Sequence, residues 1–201
     1  KLANEFSHEE LDKRAEIIEN AEYMILGADN PPFIEYVVTK YQGKTKFVLD
    51  PVSSAKAKRV EHLLQYFHTV KPNRHEAEAL CGFEIKTHED IRRAGAHFRE
   101  LGVQNIFISL DTEGVYYNNG EEEGIIKAAC TDVVNVTGAG DAFVAGMGAG
   151  YMAQKNVKDI VKYAISMSNI TISHEATINP EMTNKKVEEY LNSVEWEETT
   201  F

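Results

Sequence analysis

The 201-residue sequence predicts an α/β protein in which a mostly parallel sheet is flanked by helices, forming three layers. Two observations lead to this prediction. Short apolar segments with strand character alternate with helical segments of ten or more residues, which is the pattern of βαβ units. The sequence also shows no repeat, low-complexity segment or linker, so we expect residues 1–201 to form a single domain.

Composition and charge exclude several classes of function. The sequence is 43% hydrophobic and 26% charged, as in ordinary globular proteins. Its formal net charge of −11 argues against binding to nucleic acid or to an anionic membrane. We interpret the acidic runs at Glu121–Glu123 and Glu195–Glu198 as solvated surface. No apolar run approaches a membrane span and no signal peptide is recognised, so we expect a cytoplasmic location.

The two cysteines, Cys81 and Cys130, are far apart in sequence. They therefore suggest neither a disulfide framework nor a metal-ligand pair, and they favour a reducing compartment. We interpret both as small, buried apolar residues. The histidines lie in ordinary helical or loop contexts, without the spacing of metal ligands.

The first half of the chain alternates helices and strands. Ser7 and Glu10 form an S-x-x-E capping box that predicts a helix start. Asn73 and Thr87 are suited to cap two later helices. The predicted elements are a helix in SHEELDKRAEIIENA, a strand at Tyr23–Asp29, a helix in PPFIEYVVTKYQG, a strand at Thr45–Pro51, a helix in AKAKRVEHLLQYF, a strand edge in HTVKPN, and helices in RHEAEALCG and HEDIRRAGAHFRELG.

The second half adds a strand, a hairpin and three helices. The predicted elements are a strand at Asn105–Leu110, an antiparallel hairpin formed by GVYYNNG and GIIKAAC, and helices in AGDAFVAGMGAGYMAQ, VKDIVKYAISMSNITISHEA and NKKVEEYLNSV. Ligands of such folds bind beyond the carboxyl ends of the strands. The strand-to-helix junctions are therefore the candidate sites: Asp50–Ser54, Lys71–Glu76, Ser109–Gly114 and Val136–Asp141.

The junction TGAGD combines small residues with one carboxylate. Gly138, Ala139 and Gly140 leave a helix N-terminus unshielded, where unpaired N–H groups and the helix dipole favour an anion. Asp141 lies beside that anion hole, where a carboxylate can accept the proton of an attacking hydroxyl. Taken alone, the motif has a simpler interpretation, in which Asp141 only complements the helix dipole and the glycines permit tight helix packing.

Three ordered motifs identify a family resemblance that covers essentially the whole chain. The segment NVTGAGDAF (Asn135–Phe143) resembles the N/D-x-T-G-A-G-D-x-F signature of the ribokinase-like (PfkB) carbohydrate kinases. VKPNRHEAEALCG resembles their K-P-N-x-x-E-x-x-x-L-x-G segment, and IFISLDTEGVYY resembles their nucleotide-binding strand and turn. The resemblance implies a ribokinase-like fold and transfer of the γ-phosphoryl group of ATP to a hydroxyl of a ribosyl group.

The resemblance also implies roles for individual residues. Asp141 would be the catalytic base, and the N–H groups of Gly138, Ala139 and Gly140 would form the anion hole. Asn73 and Glu76 match the N-x-x-E motif that organises Mg²⁺, its waters and the ATP phosphates. A hard cation of this kind prefers oxygen ligands and keeps several waters. Simple helix capping remains open for Asn73, and dipole complementation for Glu76.

Further nucleotide contacts are implied at Ser109, Asp111, Gly114 and Asn169. Ser109 stands at the position of a Thr or Ser near the phosphates, and Gly114 matches the later glycine of the turn. Asp111 departs from the glycine usual in the family, and its charge would repel a triphosphate unless the side chain turns away. Asn169 stands at a position that often approaches adenine. An exposed helical asparagine is the equal alternative.

A monovalent cation is the last implied ligand. Family members often hold K⁺ beside the anion-hole loop, here at Asn135 and Thr137. Asn135 replaces the aspartate found in many members, so the charge that would help to hold K⁺ is missing. Lys56 could approach a phosphate or pair with Asp50, although a solvated lysine is the ordinary interpretation.

The acceptor is indicated by two further segments. FVLDPVSSAKAKRV (Phe47–Val60) and SHEATINPEMT (Ser173–Thr183) resemble the pseudouridine kinase subgroup, which implies phosphorylation of pseudouridine to its 5′-phosphate. Ribose, fructose and adenosine remain alternatives, as does a non-catalytic nucleotide-binding remnant. Family members run to about three hundred residues. We therefore expect that the N-terminal third, with most of the acceptor site, is lacking here, and that an edge strand left bare favours association, for example as a homodimer.

Overall fold

The computed structural model describes residues 8–129 and 132–201. The chain divides into two compact units, Lys1–Ser109 and Leu110–Phe201, which are described separately below. Helices alternate with strands in the first unit and with a hairpin in the second, so the predicted α/β class is confirmed. Two expectations, the Ser7 capping box and the burial of Cys130, lie outside the described residues.

The first unit contains a parallel sheet. Strand β1 pairs with β2, β2 with β3, and β3 with β4, all in parallel. Its elements in chain order are α1 (His8–Asp12), α2 (Ala15–Asn20), β1 (Tyr23–Gly27), α3 (Pro31–Lys40), β2 (Lys46–Asp50), α4 (Ser54–Val60), a 3₁₀ helix (Glu61–Tyr66), β3 (Thr69–Val70), α5 (Arg74–Cys81), α6 (His88–Glu100) and β4 (Asn105–Ser109).

The central strands of this sheet are buried on both faces. The consecutive residues Phe47, Val48 and Leu49 of β2 are each at most 2% exposed, and the three central residues of β4 are equally buried. Consecutive burial of neighbouring side chains means that both faces are covered, as is usual for parallel sheets. The apolar strand segments of the sequence therefore form the core of this unit.

Polar side chains start the helices where the sequence predicted them. The Asn73 side chain accepts from the N–H of Glu76 at the start of α5, and Thr87 accepts from Asp90 at the start of α6. Gly82 ends α5 with a φ of 77°, a left-handed conformation that favours glycine. Cys81, at the end of α5, is half-buried, and burial raises the pKa of its thiol to about 12.

Two helices of the first unit differ from the predicted ones. The first helical segment is interrupted after Asp12, where Arg14 donates to the carbonyl of Leu11 and tightens the turn. The segment AKAKRVEHLLQYF begins as α4 and continues as a 3₁₀ helix from Glu61. Both differences concern local hydrogen bonding, because the apolar residues of these segments, such as Leu64, still enter the core.

The second unit contains an antiparallel sheet and three helices. The predicted hairpin is confirmed, because β5 pairs antiparallel with β6. The elements in chain order are a 3₁₀ helix (Asp111–Glu113), β5 (Val115–Asn118), β6 (Glu123–Ala128), α7 (Ala139–Met152), α8 (Val157–Ile172), α9 (Asn184–Ser193) and β7 (Trp196–Thr200). Among the residues described, no helix combines the length and apolar character needed to cross a bilayer.

Strand β7 was not predicted from the sequence. Trp196–Thr200 pairs antiparallel with β6, while Glu195, Glu197 and Glu198 are exposed, as expected for an acidic run on the solvated surface. The carboxylate of Glu198 lies 2.6 Å from Nζ of Lys162 and 3.5 Å from Nζ of Lys158 on α8. These lysines balance the charge of the run, so it can form a strand despite its composition.

Helices α7 and α8 pack closely through glycine. A Cβ atom at Gly146 would lie 2.7 Å from Cα of Ala164, which is shorter than any normal carbon contact. One at Gly150 would lie 2.9 Å from the side chain of Ile160. Gly146 and Gly150, which lie outside the TGAGD motif, therefore serve helix packing. The sequence predicted a helix that continues to Ala176, but helix α8 ends at Ile172.

Candidate functional site

Polar residues gather at the carboxyl ends of the parallel strands in the first unit. Asp50 ends β2, and Lys71 follows β3 directly. Asn73 forms a parallel bridge with Ser109, the last residue of β4, and the Ser109 N–H donates to the carbonyl of Pro72 at 3.0 Å. Parallel pairing therefore brings the predicted residues Asn73 and Ser109 together at one edge of the sheet, which is the usual ligand-binding edge of such folds.

Asn73 and Glu76 hold each other at the start of α5. The Glu76 N–H donates to Oδ1 of Asn73, and the Asn73 N–H donates to Oε2 of Glu76, both at 2.9 Å. The Glu76 residue is only 4% exposed. Burial raises the pKa of its carboxyl group, against the opposing effects of the Asn73 N–H and the Lys71 ammonium. Both residues thus cap the helix, and a buried carboxylate remains at the strand edge.

A buried lysine was not assigned a role from the sequence. The side chain of Lys71 is 7% exposed, and its Nζ lies 3.9 Å from Oδ1 of Asp50. A buried ammonium next to one carboxylate and near another makes this edge a cluster of charges within the protein. The K-P-N segment contained the residue, but nothing in its spacing indicated burial. The suggested pairing of Lys56 with Asp50 is wrong, because Lys56 instead pairs with Asp29 at 2.7 Å.

The DPVSS segment contains a strained turn. Val52 has a φ of 67°, which is rare for a β-branched residue. The Ser53 N–H donates to the carbonyl of Pro51 at 2.8 Å, so Val52 is the central residue of a three-residue turn. Such conformations cost about 1–3 kcal/mol and cluster at functional sites. This turn lies directly after Asp50, at the same strand edge.

The N-terminus of α7 in the second unit has the form expected for an anion-binding loop. Gly138 precedes the helix with a φ of 88°, and a Cβ atom there would lie 2.8 Å from the carbonyl oxygen of Thr177. The first main-chain hydrogen bond of the helix runs from Ala142 to Gly138 at 2.9 Å. The N–H groups of Gly140 and Asp141 therefore precede the helical hydrogen-bond ladder, as anion-binding groups at helix starts do.

Asp141 is the third residue of α7 and is exposed to solvent. The structure thus places its carboxylate in the first turn, beside the N–H groups that precede the ladder. One of the three predicted anion-hole donors is engaged: the Ala139 N–H donates to the carbonyl of Val136 at 3.3 Å. This distance is long for a hydrogen bond between N–H and O, so the bond is weak.

Asn135 and Thr137, the residues suggested for a monovalent cation, are linked to each other. Oδ1 of Asn135 accepts from the Thr137 N–H at 3.0 Å. Nδ2 of Asn135 donates to the carbonyl of Glu175 at 2.9 Å. Both polar atoms of the asparagine side chain therefore have protein partners.

The remaining predicted nucleotide contacts also lie in the second unit. Asp111 is exposed and has a φ of 52°, in the region that favours glycine and tolerates Asp or Asn. Gly114 has a φ of 99°, and a Cβ atom there would lie 2.4 Å from the carbonyl oxygen of Ile126. Asn169 is half-buried, and its amide donates to the Tyr190 hydroxyl at 2.9 Å. The alternative of an exposed asparagine is therefore wrong, and the adenine contact stays a prediction.

Metal binding by the protein alone is not indicated by the geometry. Within residues 8–129 and 132–201, no three His, Cys, Asp or Glu side chains converge closely enough to hold an ion. Glu76 and Asp50 are carboxylates at the same strand edge, and carboxylate oxygen is a preferred ligand of Mg²⁺. A cation that arrives with a phosphate ligand needs only one or two such groups.

Comparison with known proteins gives three findings. A family model described as "pfkB family carbohydrate kinase" matches residues 1–184. The pseudouridine kinase of Escherichia coli is 31% identical over 196 residues, which cover 96% of this chain and 62% of that protein. The crystal structure of a "putative sugar kinase" from Clostridium perfringens is 50% identical, with a TM-score of 0.97 over 98% of this chain and 63% of that one.

A more distant structure shows the fold. Ribokinase from Arabidopsis thaliana, solved with ribose and ATP, is 22% identical, with a TM-score of 0.76 over 90% of this chain and 59% of that one. This likeness confirms the ribokinase-like fold. The chain thus spans about three fifths of the length of the relatives named here.

Proposed function

The chain belongs to the pfkB family of carbohydrate kinases, and from this membership we propose that it transfers the γ-phosphoryl group of ATP to a hydroxyl of a small sugar or nucleoside. The observation that carries the proposal is the placement of Asp141 in the first turn of α7, directly after the left-handed Gly138. A base and an anion-binding helix start are then adjacent, as phosphoryl transfer requires.

Asp141 is the proposed catalytic base. The acceptor hydroxyl attacks the γ-phosphorus, the bond from that phosphorus to the β–γ bridging oxygen breaks, and ADP leaves with the bond's electron pair. The proton of the hydroxyl passes to the Asp141 carboxylate. The main-chain N–H groups of Gly138, Ala139 and Gly140 donate to the transferred group, for which Ala139 releases its weak bond to Val136.

We assign the nucleotide phosphates and Mg²⁺ to the carboxyl ends of the parallel strands in the first unit. Glu76 and Asn73 fit this role because their reciprocal capping fixes both side chains. A nearby cation would also stabilise the charged form of the buried Glu76 carboxyl group. Glu76 would hold Mg²⁺ through water, and Ser109 would donate to a phosphate. The bound ion would supply neutralisation of the phosphate charge.

The family resemblance also implies nucleotide contacts at three residues of the second unit. Gly114 packs its main chain closely against β6, and its proposed part in nucleotide binding rests on the family motif. Asp111 contributes its main chain, and Asn169 an adenine contact. The family pattern implies a K⁺ ion beside Asn135 and Thr137, but here both polar atoms of the Asn135 side chain already have protein partners. Residues 1–201 would therefore act as the nucleotide-binding and catalytic-base portion of a kinase.

Pseudouridine is the proposed acceptor. Support comes from the similarity to the E. coli pseudouridine kinase and from the DPVSS and EATINP segments. Ribose, fructose and adenosine are the competing acceptors, and a non-catalytic nucleotide-binding remnant is the competing function. ATP and this small acceptor are the proposed partners, with the cytoplasm, where ATP is made and used, as the proposed location. Self-association as a homodimer is also proposed.

The test is ADP production from ATP in the presence of Mg²⁺, with pseudouridine, uridine, ribose, fructose and adenosine compared as acceptors. Asp141→Asn should abolish acceptor-stimulated turnover and leave nucleotide affinity nearly unchanged. Asp159→Asn is a matched control, because Asp159 is also the third residue of a helix and caps α8 with Asn156. The control should keep its turnover.

Three outcomes decide between the competing functions. Stimulation by pseudouridine that is lost in Asp141→Asn supports the proposed reaction. Stimulation by another acceptor keeps the kinase and corrects the acceptor. Nucleotide binding without transfer to any acceptor, also when the chain is joined to the remaining part of a full-length relative, favours the non-catalytic remnant.

A further inference from the structure

The anion-hole loop is joined to a second loop by hydrogen bonds. The N–H groups of Val134 and Asn135 donate to the carbonyl of Ile172 at 2.8 and 3.1 Å. The Asn135 side chain donates to the carbonyl of Glu175 at 2.9 Å. These bonds connect residues 134–138, which lead into α7, with residues 172–177, which follow α8.

Apolar burial does not hold either loop in place. In and next to the first loop, Val133, Val134 and Val136 are 59%, 60% and 70% exposed, and Ile178, which directly follows the second loop, is 82% exposed. A loop that buries little apolar surface gains little from the hydrophobic effect, so its position depends on hydrogen bonds. Asn135 is the half-buried residue in this run of exposed valines, and its side chain reaches the other loop.

The same side chain also shapes the entry to α7. Oδ1 of Asn135 accepts from the Thr137 N–H at 3.0 Å, which closes a local turn directly before Gly138. Gly138 is itself pressed against the second loop, with the carbonyl of Thr177 in the position that a Cβ atom would need. A shift of the second loop would therefore be transmitted to the first N–H groups of the helix.

We propose that Asn135 is a positioning residue, whose amide fastens the anion-hole loop to the loop after α8 without the help of a monovalent cation. This inference rests on the proposed phosphoryl transfer and deepens it. The Asn135 amide donates one hydrogen bond through Nδ2 and accepts one through Oδ1. The link is therefore uncharged and needs no ion. The link fixes the position of the N–H groups at the start of α7, beside Asp141.

Two substitutions at Asn135 should respond differently to K⁺. In Asn135→Asp the donor is replaced by a carboxylate oxygen that faces the carbonyl of Glu175, and two acceptors repel each other. Potassium coordinates to oxygens of this kind, so it can bridge the two groups. The variant should therefore acquire a dependence on K⁺ that the wild-type protein lacks. Asn135→Ala loses the link without gaining a ligand, so K⁺ should not restore it.

The experiment compares wild type and the two variants in potassium chloride and in choline chloride at equal ionic strength. Amide hydrogen exchange of Thr137 and the midpoint of thermal unfolding are measured first, because neither needs enzymatic activity. Asn192→Asp is the matched control, since the Asn192 amide donates to the main-chain carbonyl of Glu188 at 2.9 Å in α9. This control also loses a hydrogen bond from a side-chain amide to a main-chain carbonyl, at a position outside the two loops.

In choline chloride, Asn135→Asp and Asn135→Ala should exchange the Thr137 amide faster and unfold about 2–4 °C lower. Potassium chloride should reverse both effects in Asn135→Asp alone. Phosphoryl transfer by that variant should fall about tenfold in kcat without K⁺, with the KM for ATP little changed. The control should show no response to K⁺.

The proposal is overturned if Asn135→Asp matches the wild type in both salts, if Asn192→Asp responds equally to K⁺, or if K⁺ stabilises the wild type as much as the variant. These outcomes are distinct from failure of the proposed function. If the wild type transfers phosphate to no acceptor, the kinase activity is wrong, while exchange and unfolding still decide whether Asn135 links the loops.

Discussion

Asn73 and Glu76 cap helix α5 reciprocally, each side chain accepting the main-chain N–H of the other at 2.9 Å. The relationship has two consequences for the proposed nucleotide site. It fixes the Glu76 carboxylate with one oxygen already committed to the helix start. It also means that a stability role and a metal role coincide in the same residues, so a variant must separate them.

Glu76→Gln provides that separation. The amide oxygen of glutamine can accept the same bond from Asn73, and a buried charge is removed, so the free energy of unfolding should change by less than about 1 kcal/mol. The Mg²⁺ concentration for half-maximal turnover should rise roughly tenfold or more, because a carboxylate ligand is lost. Titration of activity with Mg²⁺ and urea unfolding measure the two effects.

The control for this variant is Asp90→Asn, in the equivalent capping box that Thr87 and Asp90 form at the start of α6. It should alter stability by a similar amount and leave the Mg²⁺ requirement unchanged. Equal Mg²⁺ requirements in Glu76→Gln and Asp90→Asn would contradict the proposed role of Glu76.

Two glycines of α7 should respond oppositely to the same substitution. Gly146→Ala places a Cβ atom 2.7 Å from Cα of Ala164, so the two helices must separate, and we expect a loss of about 1–3 kcal/mol. Gly148→Ala meets nothing within 4 Å, so the higher helix propensity of alanine should stabilise the protein by about 0.5–1 kcal/mol. Urea unfolding of both variants measures the difference; changes of equal sign would contradict the close packing of α7 on α8.

Sequence reasoning worked where a residue acts on its immediate neighbours. Asn73 and Thr87 cap helices through the third following residue, and their side-chain chemistry is sufficient to predict it. The hairpin of β5 and β6 follows from a short polar turn between apolar segments. The sequence also predicted TGAGD at the start of a helix, because these small residues directly precede a helical segment. The motif does lie at the start of α7.

Features that depend on distant partners could not be predicted. Strand β7 is acidic, and its partners, strand β6 and the lysines of α8, lie far from it in the sequence. The partner of Lys56 is Asp29, 27 positions earlier in the chain, and no local pattern identifies it. The burial of Lys71 depends on the packing around β3, which a single sequence does not reveal.

Protonation of His68 should destabilise the protein in mild acid. Burial lowers the pKa of His68 from 6.5 to about 4, with a smaller contribution from Lys46. The unfolded chain then binds a proton between these pH values that the folded protein does not bind. Stability is therefore complete above pH 6.5 and is lost as pH falls towards 4, by on the order of 2 kcal/mol after allowance for partial exposure.

Urea unfolding at a series of pH values tests this expectation. His68→Gln should show a flatter decline of stability over the range, because the titrating group is absent. Lys46→Met should keep most of the wild-type slope, because burial is the larger cause of the lowered pKa. A slope in His68→Gln as steep as that of the wild type would assign the acid sensitivity to other groups.

Removal of the Asp111 charge should strengthen nucleotide binding. Asp111 has a φ of 52° in the turn after β4, where the family usually has glycine. Asparagine tolerates that conformation as well as aspartate does, so Asp111→Asn changes the charge and leaves the backbone alone. If the turn faces the triphosphate, the loss of one exposed negative charge should tighten ATP binding about fivefold at low salt, corresponding to roughly 1 kcal/mol.

Salt dependence and a neighbouring residue make this test specific. The gain from Asp111→Asn should shrink as ionic strength rises, because salt screens exposed charges. Glu113→Gln removes a charge from the same 3₁₀ turn and should have a smaller effect, since of the two residues only Asp111 is a proposed nucleotide contact. Isothermal titration with ATP measures both variants. Identical affinities in wild type and Asp111→Asn would mean that the side chain points away from the nucleotide, and that the departure from glycine has no cost for binding.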